Sequence, residues 1–180
     1  MKNSNKSAHL KEKLKQALNS TFKVISDDFR IDKDNNLEKN EFFDLPNLDT
    51  KKDFIEARAK TDSSALKKKF SNEKIFKKNL PLNSSYKSLY TIAEKFRYEL
   101  LGFEMLKGIE KNLKDDYYQR ISLKRKDQLN SKEDVPVAEA FELYMLKNFH
   151  NIELNSTTNK MLSFWEKDFD SSILKHKKFL

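Results

Sequence analysis

Two glycines and three prolines in 180 residues leave this chain few places to reverse sharply, and that scarcity limits what it can become. Tight hairpin turns draw on residues that accept positive φ, glycine above all. A fold made of many hairpins is therefore not expected, and long helices are. The same shortage removes two chemistries: neither a P-loop nor a glycine-rich dinucleotide turn can be assembled from Gly102 and Gly108 alone, so the chain is not expected to bind ATP by either route.

Apolar spacing supports the helical reading. Residues 1–7 read as a flexible tail. Leu10, Leu14, Ala17, Leu18, Phe22 and Ile25 form one stripe and predict a helix over about 8–26. Between Asp28 and Leu45, Phe29 and Ile31 alternate with polar neighbours, the polar run Asp32-Lys33-Asp34-Asn35-Asn36 follows, and then come Phe42, Phe43 and Leu45. That pattern predicts one small β-hairpin, ended by Pro46. Thr50 with Asp53 three residues on fits a capping box for a second helix reaching about residue 70, followed by a connection around Pro81.

Ser84 or Ser85 is positioned to cap a long helix from about 85 to 106, and Ile109, Leu113, Tyr117 and Ile121 continue its pattern past Gly108. So many of its sides are apolar that it reads as the central element. Gly102 inside it implies close approach of a neighbouring backbone. Residues 122–134 are polar and predict a loop. Pro136, with Asp134 as cap, opens a further helix over about 135–149, Asn155 to Thr158 start another, and a short last one holds Ile173 and Leu174. The expected fold is mainly α: one helical domain over 8–180 around a long central helix, with a minor β-hairpin.

Fourteen phenylalanines within a 37% hydrophobic content suffice for a core. Cysteine is absent, so disulfides, thiolate metal sites and a cysteine nucleophile are not available. The lysine-rich start has no signal-peptide pattern and no run is long enough to span a bilayer, which makes the cytoplasm the expected compartment. The +8 charge can mark a nucleic-acid binder, but lysines alternate with acids, as in Lys11-Glu12-Lys13, so a solvated surface explains it.

No catalytic constellation stands out. Asp32, Asp34 and Asn36 begin like a calcium loop, yet Leu37 occupies the glycine position and Phe43 the bidentate glutamate position. His9, His150 and His176 are far apart and read as surface histidines. The pairs Asp27-Asp28, Asp115-Asp116 and Glu133-Asp134 point to different helix faces. Glu94 and Arg97 sit at i, i+3. In a central helix Arg97 would have to be buried with acidic partners. Lys124-Arg125-Lys126 near Tyr117 and Tyr118 is a weak nucleic-acid signal.

One stretch resembles a known family. Residues 94–113, EKFRYELLGFEMLKGIEKNL, are similar to the central segment of CobT, a subunit of the ATP-dependent aerobic cobaltochelatase of cobalamin (vitamin B12) biosynthesis. Glu94, Arg97, Glu99, Gly102, Met105, Gly108, Asn112 and Leu113 carry the pattern. Residues 57–66, ARAKTDSSAL, resemble its Arg-x-x-Ala-Asp-x-x-Ala-Leu region with Thr61 in place of alanine, and Phe164-Trp165-Glu166 resembles a tryptophan segment near its end. The likeness covers about residues 10–180 and the family's N-terminal region only. Asp62-Ser63-Ser64-Ala65-Leu66 and Asp170-Ser171-Ser172-Ile173-Leu174 both lack the last serine of the adhesion motif carried by the family's von Willebrand A-type domain, so that domain is not expected here.

The resemblance implies a non-catalytic assembly and coupling domain of a complex inserting cobalt into hydrogenobyrinic acid a,c-diamide. It implies no cofactor and no metal on this chain: an AAA+ partner, CobS, hydrolyses ATP, and the large subunit CobN holds macrocycle and cobalt. The chain would work as part of an oligomeric complex, with Glu94, Arg97, Glu99, Gly102, Met105, Gly108, Asn112 and Trp165 serving core or interface. Two other readings are a basic helical nucleic-acid binder and an unrelated helical adaptor that dimerises through an aromatic patch.

Overall fold

A computed structural model describes residues 2–28, 48, 50–124, 129 and 131–176, with side chains described between 9 and 173. Eight α-helices account for most of them: α1 (Lys2–Ser26), α2 (Lys51–Phe70), α3 (Glu73–Asn79), α4 (Ser84–Met105), α5 (Lys107–Ser122), α6 (Val137–Asn148), α7 (Ser156–Ser163) and α8 (Glu166–His176). A 3-10 turn at Lys132–Asp134 precedes α6. There is no strand among the described residues. The expected hairpin, like the calcium-loop residues Asp32, Asp34 and Asn36, falls on residues 29–47 and lies outside them. α1 starts at Lys2, within the stretch read above as a tail.

Local chemistry sets the helix ends. The capping box forms as expected: Asp53 N–H donates to Thr50 Oγ1 at 3.2 Å and Thr50 N–H donates to Asp53 Oδ2 at 2.9 Å. The cap of α4 is Asn83 instead of a serine, its Oδ1 accepting from Ser85 N–H at 2.9 Å and Tyr86 N–H at 3.3 Å. An amide oxygen one residue upstream reaches both free donors. Asp134 does not cap α6. It closes a capping box with Ser131 around the 3-10 turn, and Pro136 is the N-cap residue of α6. α3 was not expected; Asn72 caps it by accepting from Ile75 N–H at 3.1 Å. The long stripe is interrupted only at Leu106, where the Leu106 N–H still donates to Gly102 O and Ile109 N–H donates to Leu106 O, both at 3.0 Å.

The chain divides into two compact units, Met1–Ser71 with Leu101–Asp116 and Asn72–Leu100 with Tyr117–Leu180. In the first unit α1 packs on α2. Ala57, Thr61 and Ala65 recur every four residues on α2 and are buried. Such small side chains let a neighbouring element approach closely. Leu18, Ile25, Leu66, Phe103, Ile109 and Leu113 supply the bulk of this core. Asp27 ends α1 with a φ of 55°, a left-handed conformation that aspartate tolerates. Lys69 pairs with it, while Lys68 reaches Asp28 at 3.5 Å.

In the second unit α6, α7 and α8 pack on one another. Phe96, Tyr117, Leu143, Leu146, Met161 and Leu162 are buried. Asn155 caps α7 through Thr158 N–H at 2.9 Å and donates its own Nδ2 to Ile121 O at 3.2 Å, joining the start of α7 to the end of α5. Phe169 of α8 sits 5.3 Å from both Phe141 and Tyr144 of α6, ring centre to ring centre.

Candidate functional site

The second unit holds a buried polar cluster built from three elements. Glu99 on α4, Tyr117 on α5 and His150, just after α6, are 0%, 2% and 1% exposed. Tyr117 Oη donates to Glu99 Oε2 at 2.6 Å, and His150 Nε2 lies 3.9 Å from the same oxygen. Phe96, one turn before Glu99, packs its ring 4.5 Å from the His150 ring and 6.0 Å from that of Tyr117. Burial, reinforced by the negative charge of Glu99, pushes the Tyr117 phenol well above its usual value. The phenol therefore remains a donor.

A shell of opposite charges covers the cluster. Arg120 stands 4.6 Å over the Tyr117 ring and the Lys95 ammonium 5.0 Å from it, and both reach Glu142 Oε1, at 3.4 Å and 3.7 Å. Cation and ring attract through the ring's quadrupole. Glu142 neutralises part of that excess charge.

The first unit has its own polar contact. Asn112 Nδ2 on α5 donates to Asp62 Oδ2 on α2 at 2.6 Å, with Arg58 Nε 3.9 Å away. Asp62 is 1% exposed, and burial raises its pKa against the lowering effects of Asn112 and then Arg58. This contact joins residues from two of the segments singled out in the sequence, Arg58-x-x-Thr61-Asp62 and Asn112-Leu113.

The other singled-out residues are scattered. Gly102 is buried, and a Cβ there would lie 2.4 Å and 2.6 Å from the two methyls of Leu66. The expected close approach is real, but a side chain and not a backbone makes it. Gly108 is exposed, with nothing within 4 Å of such a Cβ and no positive φ. Met105 is the half-buried last residue of α4. Arg97 is not buried. Its Nε and Nη2 donate to the two carboxylate oxygens of Glu94 at 2.7 Å and 2.8 Å, and its side chain is 48% exposed. One flank of α4 faces water there, so the charge keeps contact with solvent. Trp165 donates Nε1–H to Val135 O at 3.1 Å, and the Lys132 ammonium sits 4.1 Å over its ring.

His150 corrects the reading of surface histidines: it is buried beside a carboxylate 51 positions upstream, a distance in sequence at which no local spacing signals a contact. His9 is exposed, as expected. Of the basic run, Lys124 forms an ion pair with Glu139, while residues 125 and 126 lie outside the described residues. Among the described residues, no group of three or more histidines and carboxylates is arranged to hold a metal ion, and no helix is long and apolar enough to cross a membrane.

Comparison with known proteins gives one match. A family model described as cobalamin biosynthesis protein CobT fits residues 9–176. No curated protein and no solved structure matches the chain.

Proposed function

The chain belongs to the CobT family of cobalamin biosynthesis proteins, and from that premise we propose that it is a non-catalytic assembly and coupling domain of an ATP-dependent aerobic cobaltochelatase. In this reading the metal is cargo. Cobalt enters hydrogenobyrinic acid a,c-diamide on the large subunit CobN, the AAA+ subunit CobS hydrolyses ATP, and this chain transmits movement between them in the cytoplasm without touching the reacting atoms.

One observation carries the reading. Three of the residues that carry the family resemblance make interior contacts: Glu99 accepts from Tyr117, Asn112 donates to Asp62, and Gly102 makes room for Leu66. Residues used this way hold a shape. In this reading the helices carry displacement from one partner to the other. The ion pairs formed by Lys95, Lys124, Lys132 and Lys147 with acidic neighbours reduce the bare positive charge a nucleic-acid binder needs, and so favour the assembly reading over that alternative.

Co-purification with CobS and CobN homologues tests it. The chain is expected to be retained by at least one of them. Absence of any complex, under conditions where a full-length CobT subunit binds, refutes the proposal.

A further inference from the structure

We propose that the α3–α4 hairpin of the second unit docks a protein partner whose groove is apolar at its centre and carboxylate-rich at its rim. α3 contributes no buried residue, yet it is a formed helix, capped by Asn72 and held to α4 by the stacking of Phe76 on Tyr90 at 5.2 Å. Around that stack three large apolar side chains face water: Ile75 at 58% exposure, Leu82 at 104% and Tyr86 at 64%. Tyr86 precedes Tyr90 by four residues, so it shares the α4 face against which α3 leans. Single exposed apolar residues are ordinary. Three on one preformed hairpin make a surface that would lose little conformational freedom on being covered.

Charge selects the occupant. Residues 72–91 contain four lysines, Lys74, Lys77, Lys78 and Lys87, against one acid, Glu73. Glu73 pairs with Lys77 at 2.6 Å. Lys74, Lys78 and Lys87 form no ion pair among the described residues. A second copy placed face to face on this hairpin would bring like charge onto like charge. Nucleic acid would satisfy the lysines through phosphate but leave Leu82 and Ile75 without a partner. A seven-residue helix with so narrow an apolar face is a poor fit to an interfacial lipid-binding helix. An acidic-rimmed apolar groove answers both features, with the lysine stems extending the apolar contact.

The test is photo-crosslinking of the full chain carrying p-benzoylphenylalanine in place of Leu82, in cells that make it, with the attached peptide identified by mass spectrometry. The expected adduct is a protein segment flanked by Asp or Glu. Its yield should fall about fivefold or more when Lys74, Lys78 and Lys87 are changed to Glu. Circular dichroism checks that this variant keeps its helices, and single Lys78→Glu and Lys87→Glu changes replace it if it does not. Four results overturn the proposal: an adduct on nucleic acid, lipid or a second copy; a partner segment without acids; no adduct above that from the same probe at the exposed Lys60; or a yield indifferent to charge reversal. The surface does not rest on the chelatase reading. An acid-flanked adduct on a protein outside the chelatase leaves the surface standing and counts against the assembly role alone.

Discussion

Tyr117 donates a 2.6 Å hydrogen bond to Glu99, and both side chains are closed to solvent. A carboxylate buried to that degree is tolerable only with donors or opposite charge around it. Here the phenol supplies one bond, the His150 ring stands 3.9 Å from the same oxygen, and Lys95 and Arg120 lie over the phenol's ring. The cluster joins α4, α5 and the residue just after α6 within the second unit.

Tyr117→Phe removes that donor while keeping the ring. It should lower stability by about 1.5–3 kcal/mol, the range for stripping a hydrogen bond from a buried charged acceptor. The single tryptophan, Trp165, lies in the same unit, so its fluorescence in a urea titration reads the loss. Glu99→Gln keeps an acceptor and discards the charge, and should cost less. A Tyr117→Phe midpoint equal to that of the wild type would show that the bond contributes nothing.

Alkaline titration gives a second check. Tyr117 is pushed well above the ordinary tyrosine value, and Tyr144 is pushed up to about 12, by burial first and then by its 2.8 Å bond to Asp170. In an unfolded chain both ionise near pH 10. The folded state keeps these protons longer, so the stability they contribute is whole below about pH 10 and is lost as the pH climbs toward the folded values. Tyr117 and Tyr144 should therefore be missing from the phenolate absorbance of the folded protein at about pH 11 and should appear on unfolding in urea. A folded chain titrating all its tyrosines together would contradict the burial of this pair.

Helix existence was legible in the sequence wherever an apolar stripe was long, as from Leu10 to Ile25 and from Leu89 to Phe103, because the 3.6-residue period is a property of the chain alone. Caps were legible where the capping residue is also the one the local geometry uses: Thr50 caps α2 as expected, whereas Asn83 takes the place expected of Ser84 or Ser85 and Asp134 closes the 3-10 turn instead of capping α6. α3 was missed because seven residues with no buried side chain leave no stripe to detect. The polar clusters were the least visible. Asp62 and Asn112 are 50 residues apart and Glu99 and His150 are 51, so only tertiary folding brings either pair together. Gly102 announced a close approach, but nothing local said that Leu66 would make it.

Asp62→Asn probes the contact in the first unit. Burial raises the Asp62 pKa, outweighing Asn112 and Arg58, so the folded state penalises the ionised form. A carboxyl raised in this way contributes stability that is present below its unfolded value of 3.8 and is lost as pH rises through the folded value. An asparagine carbonyl still accepts from Asn112 and carries no charge. The variant should be the more stable protein at about pH 7 and should match the wild type at about pH 3. Asp62→Leu, with no acceptor for Asn112, should be less stable than Asp62→Asn at either pH. A wild-type chain more stable than Asp62→Asn at neutral pH would mean that Arg58 holds the charge more strongly than its 3.9 Å distance implies.

The two glycines separate a packing constraint from mere helix propensity. At Gly108 an added methyl meets nothing and φ is not positive, so Gly108→Ala should stabilise by roughly 0.5–1 kcal/mol, chiefly by restricting the unfolded chain. At Gly102 the same methyl gains the same propensity but lands 2.4 Å from a Leu66 methyl. Leu66 is 0% exposed, so its methyls can shift only within the core, and an overpacking penalty of about 1–3 kcal/mol is expected to prevail. Gly102→Ala should therefore destabilise the chain. Leu66→Ala alone opens a cavity and should cost about 2–5 kcal/mol. Combined, the two changes should cost less than their sum, because the methyl added at 102 enters space that Leu66 has vacated. Thermal or urea melts of the four proteins measure that coupling. Strict additivity would mean that Leu66 moves aside freely and that Gly102 is not held by this contact.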